Sequence, residues 1–312
     1  RRLTGAGYAA PIVITGSYFR FIATQQLAEV GIDPGAVLIE PEGRNTAPAV
    51  LAAALHIRSK DPDACMLVAP SDHVIPDETA FRAAVERGCA PAAEGDLVTF
   101  GIRPDRPETG YGYLELAAPE AGEEPVRLRR FVEKPDAKTA AEMVAAGTFL
   151  WNAGIFLFAV KDIIAAFEAH APDLVAPVST AVERARADLG FLRLDPEAWA
   201  AAEDISIDYA IMEKAENLTV VPFAEGWSDL GGWDAVWREE GPDATGVVAS
   251  GPTTAIDCKN TLLRSEDPDM ELAGLGLENI IAVATADGVL VADMDRAQDV
   301  KKVVTALREK GA

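Results

Sequence analysis

Short apolar runs alternate with helix-spaced segments from residue 10 onward, and this alternation limits the fold more than any other feature of the sequence. "APIVIT" (Ala10 to Thr15) precedes "SYFRFIATQQLAEVG", whose apolar residues recur at helical spacing up to Gly31. "AVLIE" is a second strand, and "TAPAVLAAALHIRSK" a helix with Thr46 as its expected N-cap and Pro48 in its first turn. "ACMLVA", "DETAFRAAVERGC" and "DLVTFGI" continue the series as strand, helix and strand. A βαβα rhythm of this kind predicts a parallel sheet with helices on both faces and right-handed crossovers. In such sheets the loops after the strands form the ligand crevice.

From Tyr111 to Val132 two strands read as an antiparallel excursion. A helix (Ala137 to Ala146), the strand "GIFLFAV", a helical stretch to about Lys214, the strand "NLTVVPF" and the helix opening "GGWDAVWREE" follow. After about Gly241 the texture changes to short β-rich pieces, "TGVVAS", "TTAIDC", "NTLLRS", "NIIAVAT" and "GVLVADM", with turn residues between them. Their spacing of about ten residues predicts a small β-domain or β-solenoid, closed by the amphipathic helix "AQDVKKVVTALREKG". The expected domains are therefore 1–242 and 243–312.

Charge and composition exclude several partner classes. With 28 basic and 50 acidic residues the net charge is -22, which argues against a nucleic-acid surface and against anionic lipid. Repulsion of a phosphorylated ligand is screened within about 8 Å at physiological salt, so local cations, a lysine or a metal ion, must bind it. Three widely spaced cysteines (Cys65, Cys89, Cys258) fit reduced thiols and a cytoplasmic setting. His56, His73 and His170 do not have zinc-site spacing. No apolar run reaches the ~18 residues of a membrane span, and no secretory leader is read.

Polar residues with glycines follow the strands: "PEGRNTAP", "PSDH", "RPDRPETGYGY", "EKP" and "AEGWSDLGGW", with "WNAG" before "IFLF". Asp72 and Asp229 each follow an apolar strand among small residues. Two carboxylates reaching one point suit Mg²⁺, and a pair of N-capping aspartates is the alternative. The glycines around Tyr111 let a backbone approach a ligand or simply make a tight turn. Asn152 suits a sugar hydroxyl or a turn at a strand start. Asp208, in the first turn of the expected helix "SIDYAIMEK" capped by Ser206, contacts a ligand or serves the helix dipole. Glu133 and Lys134 sit at a strand end stopped by Pro135, as ligand groups or as an exposed ion pair.

"EPEGRNTAPA", "PSDH", "FGIRPDRPETGYGYLE", "RFVEKP", "WNAGIFLF", "SIDYAIMEK", "GWSDLGGWDAVW" and "GLENIIAVATADGVLVADMDRAQDVKKVV" occur in this order. From about residue 8 to 310 the chain resembles the bacterial mannose-1-phosphate guanylyltransferases, including the guanylyltransferase part of the bifunctional isomerase/guanylyltransferase enzymes. The resemblance implies an α/β fold: a Rossmann-like nucleotidyltransferase domain with a mixed, mostly parallel sheet, then a small left-handed β-helix and a terminal helix. It implies a reaction of mannose 1-phosphate with GTP giving GDP-mannose and pyrophosphate. It also implies that Asp72 and Asp229 hold Mg²⁺, Lys134 pairs with the sugar phosphate and Glu133 accepts mannose hydroxyls. Tyr111 and Gly112 would line the sugar with Asn152 and Asp208 beside them, and Glu40, Arg44, Asn45, Thr46 and Ser71 would bind the nucleotide. A homodimer is compatible with the sequence but not specified by it.

The family begins with a strand and a loop of the form G-G-x-G-T-R-L-x-P, followed by P-K-Q, and neither occurs in this sequence, which starts at Arg1. The expectation is a fragment, or a chain whose triphosphate loop and first central strand lie outside these residues. The cupin-like isomerase domain of the bifunctional members is not in the sequence, so no isomerase activity is expected from it. Two rival readings stand beside the main one: a silent GDP-mannose-binding regulatory subunit, and a nucleotidyltransferase with another sugar or base.

Overall fold

In a computed structural model the residues described are 2–119, 122–224 and 226–310. The chain divides into two compact units, Arg1–Ser71 with Ile75–Gly226, and Asp72–Val74 with Trp227–Ala312.

The first unit carries the alternation. Its elements are β1 (Ile12–Gly16), α1 (Arg20–Glu29), β2 (Ala36–Glu40), α2 (Thr46–Arg58), β3 (Cys65–Val68), α3 (Glu78–Ala93), β4 (Leu97–Ile102), β5 (Tyr113–Leu116) and β6 (Val126–Val132). There follow α4 (Ala137–Ala146), β7 (Phe149–Ala159), α5 (Val160–His170), α6 (Pro172–Glu183), β8 (Arg186–Asp188), β9 (Phe191–Arg193), α7 (Pro196–Ala200) and β10 (Leu218–Phe223). Among the described residues the strands form two sheets, ordered β1-β2-β9-β8 and β3-β7-β4-β10-β6-β5, with a further pairing of β5 to β7. Helix α2 is buried from Ala47 to Leu55 except at Ala49, and its run of alanines lets it lie close against α5 and α6. Leu38, Leu51, Phe158, Phe167 and Trp199 fill the same core.

The sheet is mixed, as expected, but antiparallel pairing is more extensive than the βαβα rhythm suggests. Strands β1 and β2, β2 and β9, and β4 and β10 are parallel. Strand β7 inserts antiparallel between β3 and β4. Over Phe149–Trp151 it also pairs with β5, so β5, β6, β10, β4 and β7 close into a ring. Sequence periodicity carries no record of which distant strands pair, so this insertion is not legible in it.

Several local expectations change. Asn45, not Thr46, caps α2: its side chain accepts the Thr46 N–H from a backbone at φ 61° that few side chains tolerate. Strand β7 starts earlier than "GIFLFAV", so Asn152 lies inside a strand. The helical stretch toward Lys214 is interrupted by the β8–β9 hairpin, turned by Leu189 and Gly190, both at positive φ. The segment around Asp208 forms only a five-residue π-helical turn, Asp208–Met212, and Ser206 Oγ accepts the Tyr209 N–H at its start.

The second unit contains α8 (Trp233–Glu239), β11 (Val247–Ser250), β12 (Thr253–Ile256), β13 (Thr261–Ser265), β14 (Leu272–Leu275), β15 (Ile280–Thr285), β16 (Gly288–Asp293) and α9 (Val300–Lys310). Strands β11, β13 and β15 stack in parallel, and β12 stacks on β14. The register offset is the same for β12–β14 as for β13–β15, which is the geometry of a β-solenoid. Strand β16 folds back antiparallel on β15. Leu262, Ile281, Val283 and Met294 make the core of this unit. Among the described residues no helix is long and apolar enough to cross a membrane.

Close stacking sets a testable limit. Gly241 and Gly251 both have left-handed backbones, with φ 75° and 76°. A Cβ at Gly241 meets nothing within 4 Å, whereas one at Gly251 would lie 2.0 Å from the Ser265 carbonyl oxygen. Gly241→Ala should lower unfolding free energy by about 1–2 kcal/mol, and Gly251→Ala by roughly 2 kcal/mol more. Urea denaturation of both variants checks this, and equal losses would contradict the clash.

Candidate functional site

Strand β5 lies between β6 and β7, with Tyr113 paired to Val132 on one side and Trp151 on the other. The residue before it, Gly112, therefore falls between Glu133 and Asn152. The Gly112 carbonyl accepts the Asn152 N–H at 2.8 Å, and a Cβ there would come within 2.6 Å of Glu133 Oε2. The Tyr111 carbonyl accepts the Lys134 N–H at 3.2 Å. Lys134 has a left-handed backbone, φ 45°, and its Nζ lies 3.0 Å from Glu133 Oε1. The Glu133 side chain is only 6% exposed against 56% for Lys134, so the acid is enclosed and the ammonium faces outward. Glu213 Oε1 accepts the Glu133 N–H at 3.0 Å.

Asn152 Nδ2 donates to Asp208 Oδ1 at 3.0 Å. Tyr111, Gly112, Glu133, Lys134, Asn152 and Asp208 are thus brought into one cluster, with Glu213 behind it. Burial, and then the charge of Glu133, push the Asp208 carboxyl up to about 6, against the opposing pull of Lys134 and Asn152. Burial acts to lower Lys134, but the hydrogen bond and charge of Glu133, with Asp208 and Tyr209, outweigh it and raise the ammonium above its ordinary value. Lys134 is therefore a fixed cation, and Asp208 a group that changes charge just below neutrality.

A second group surrounds the start of α2. Burial pushes Glu40, at the end of β2, up to about 7. Arg44 donates to the Ala200 carbonyl at 2.9 Å and pairs with Glu42, while Trp199 Nε1 donates to the Glu42 carbonyl at 2.8 Å. These bonds anchor the "EPEGRNT" loop on α7. The Thr46 and Ala47 N–H groups are already taken by Asn45 Oδ1 and the Ile205 carbonyl. Thr46 Oγ1 accepts the Ile207 N–H at 2.9 Å, which ties this loop to the residue before Asp208. Ser71 is exposed in the loop after β3.

Asp72 and Asp229 both belong to the second unit. A two-way antiparallel bridge, Val74 to Ser228, brings their segments together, with Val74 N–H on the Ser228 carbonyl at 2.8 Å and the reverse bond at 3.1 Å. Neither aspartate caps a helix: Asp77 caps α3, and Gly232 precedes α8. Asp229 Oδ1 accepts the Gly231 N–H within a turn that holds Leu230 at φ 49°. His73 Nδ1 accepts the Trp227 indole N–H at 3.2 Å. Among the described residues no three His, Cys, Asp or Glu side chains gather as a metal cluster. Two carboxylates, with phosphate and water completing the shell, are nevertheless a donor set that Mg²⁺ takes, so the pair fits that ion.

Sequence reasoning passed over Thr99 and Glu213. The signal for Thr99 was a lone hydroxyl in the apolar run "LVTFGI", where a buried polar group needs a partner. Glu213 follows Asp208 at the spacing of the π-helical turn, which a 3.6-residue period misplaces.

The nucleotidyl transferase family profile matches residues 1–245, and that of the MannoseP isomerase/GMP-like beta-helix domain matches residues 251–307. The chain belongs to the nucleotidyl transferase family. It is 43% identical over 302 residues to the xanthan biosynthesis protein XanB of Xanthomonas campestris pv. campestris strain B100, a match covering 97% of this chain and 63% of XanB. It is 40% identical to the mannose-1-phosphate guanylyltransferase of Escherichia coli K12, covering 99% of this chain and 66% of that protein. Among solved structures, the "mannose-1-phosphate geranyltransferase" of Thermus thermophilus superposes with a TM-score of 0.80 at 32% identity, covering 95% of this chain and 84% of that one. The chain spans somewhat less than two-thirds of the length of the curated relatives it matches.

The raised value of Asp208 has a stability consequence. Folding favours its neutral form, so its contribution is complete below about pH 4 and is lost as pH rises through about 6. Asp208→Asn should match the parent in urea stability near pH 4 and exceed it by about 3 kcal/mol at pH 8. A difference that does not change with pH would contradict the burial argument.

Proposed function

We propose that this chain carries the catalytic unit of a mannose-1-phosphate guanylyltransferase, converting mannose 1-phosphate and GTP to GDP-mannose and pyrophosphate. The observation that carries the reading is the cluster of Glu133, Lys134, Asn152 and Asp208. It sets one outward-facing ammonium beside an enclosed carboxylate and an oriented amide. An ammonium is a strong partner for a phosphate, and carboxylate and amide groups bind sugar hydroxyls. The names borne by the Escherichia coli and Sinorhizobium fredii relatives support the same substrates.

In this reading Lys134 neutralises the phosphate of the sugar, Glu133 accepts sugar hydroxyls, and Asn152 and Asp208 hold the ring from the side. Tyr111 and Gly112 bring bare backbone against the sugar. Glu40, Arg44, Asn45, Thr46 and Ser71 serve the nucleotide. A phosphate oxygen of mannose 1-phosphate forms a bond to the α-phosphorus of GTP. The bond from that phosphorus to the β-phosphate oxygen breaks, and pyrophosphate leaves with the electron pair. No side chain is acylated or phosphorylated, so the protein contributes positioning and charge neutralisation. Asp72 and Asp229 would hold a Mg²⁺ ion, which when bound offsets the charge on phosphate oxygens.

Three experiments test the reading. Purified protein should turn over GTP with mannose 1-phosphate and respond far less to ATP, UTP or dTTP, or to glucose 1-phosphate; preference for another pair would reassign the substrates. Lys134→Ala should raise the KM for mannose 1-phosphate by about 10²-fold with little change for GTP, as loss of charge-assisted bonds predicts. Asp229→Asn should lower kcat by on the order of 10²-fold or more with an unaltered circular-dichroism spectrum. Near-normal turnover would remove Asp229 from the metal role.

A further inference from the structure

The hydrogen bonding around Asn152 originates one strand away. Between Thr99 and Gly101 strand β4 has one residue, Phe100, but the matching stretch of β7 runs from Phe156 to Asn152 with three between. Strand β7 bulges over Ala153–Ile155, and Gly154 at φ 66° makes the turn that an L side chain would resist. A bulge takes backbone groups off the ladder, and when buried they must find other partners.

They find two. Thr99, with no exposed surface, places Oγ1 at 2.8 Å from Asn152 Oδ1 and 3.1 Å from the Ile155 carbonyl oxygen. Its one proton serves these two acceptors. Gly154 N–H donates to Asn152 Oδ1 at 3.2 Å. The amide oxygen thus faces two donors, and its nitrogen faces the Asp208 carboxylate at 3.0 Å. Turning the amide over would set N–H against N–H and oxygen against carboxylate. Only one of the two Nδ2 protons is used by Asp208, which leaves the other for a ligand.

We propose that Thr99 is a positioning residue for the sugar site: its buried hydroxyl locks the Asn152 amide so that one Nδ2 proton holds Asp208 and the other is presented to a hydroxyl of the sugar phosphate. This rests on the function proposed above. Thr99 touches no substrate and acts through Asn152. Valine at position 99 keeps the shape and removes the lock, whereas serine keeps the hydroxyl.

The test combines nuclear magnetic resonance of the Asn152 side-chain amide with calorimetry, using the chain with ¹⁵N-asparagine. In the parent and in Thr99→Ser the two Nδ2 protons should give separate, exchange-protected signals. In Thr99→Val they should lose protection and broaden. Mannose 1-phosphate should bind Thr99→Val about tenfold more weakly than parent, one lost hydrogen bond, with the affinity regained in Thr99→Ser and GTP binding unchanged. Thr99→Ala carries the same comparison if the valine variant does not fold. An unchanged amide signal in Thr99→Val overturns the lock. A lost signal with unchanged sugar-phosphate affinity overturns its role in binding. If the parent binds another sugar phosphate but not mannose 1-phosphate, the substrate assignment fails, and the same comparison with that sugar decides the inference; a parent that binds none overturns both.

Discussion

Strand β7 must serve two neighbours on one edge, β5 over its first residues and β3 over its last, while β4 runs along the other. The bulge at Ala153–Ile155 is the corner that makes it feasible, and strands commonly change partners at such irregularities. Because the corner closes the β5–β6–β10–β4–β7 ring, it also fixes the start of β5 and the end of β6 beside Asn152. The cluster of Glu133, Lys134, Asn152 and Asp208 forms where the ring turns. Each buried polar group left unpaired at the corner would cost about 1–3 kcal/mol, so Thr99, Asn152 and Gly154 support the fold as well as the site.

The local charge balance follows from the same enclosure. Glu133, Asp208 and Glu213 are three carboxyls grouped with one ammonium, in a chain whose net charge is -22. A net charge of that sign gives a phosphate no long-range attraction, so the recognition proposed for Lys134 would act at contact distance. Burial holds the Asp208 carboxyl partly neutral near its value of about 6, which limits the repulsion it adds. The acid beside Lys134 keeps the ammonium protonated.

The strand–helix order of the first unit and the stacked strands of the second were legible because hydrophobic periodicity is local. The alternation at "AVLIE" and "TAPAVLAAAL" maps onto β2 and α2 within a residue or two. Pairing was not legible, since nothing in "GIFLFAV" says that its neighbours are β3, β4 and β5. Nor were features that depend on backbone exceptions: the cap at Asn45, the Leu189–Gly190 turn, and the bulge that places Asn152 inside a strand. The residue types at Glu133, Lys134 and Asn152 pointed to a site, but Thr99 reads as an ordinary strand residue until its partners are seen.

Asn45, Lys134 and Leu230 hold left-handed backbone conformations that glycine would adopt without strain. All three lie in the loops from which the candidate ligand groups project. Selection for heat resistance alone would drift toward glycine there, relaxing the main chain while erasing, at Asn45 and Lys134, side chains proposed to meet a ligand. Durability and chemistry therefore pull in opposite directions at these positions, and a sturdier version of this molecule would have to gain its margin elsewhere.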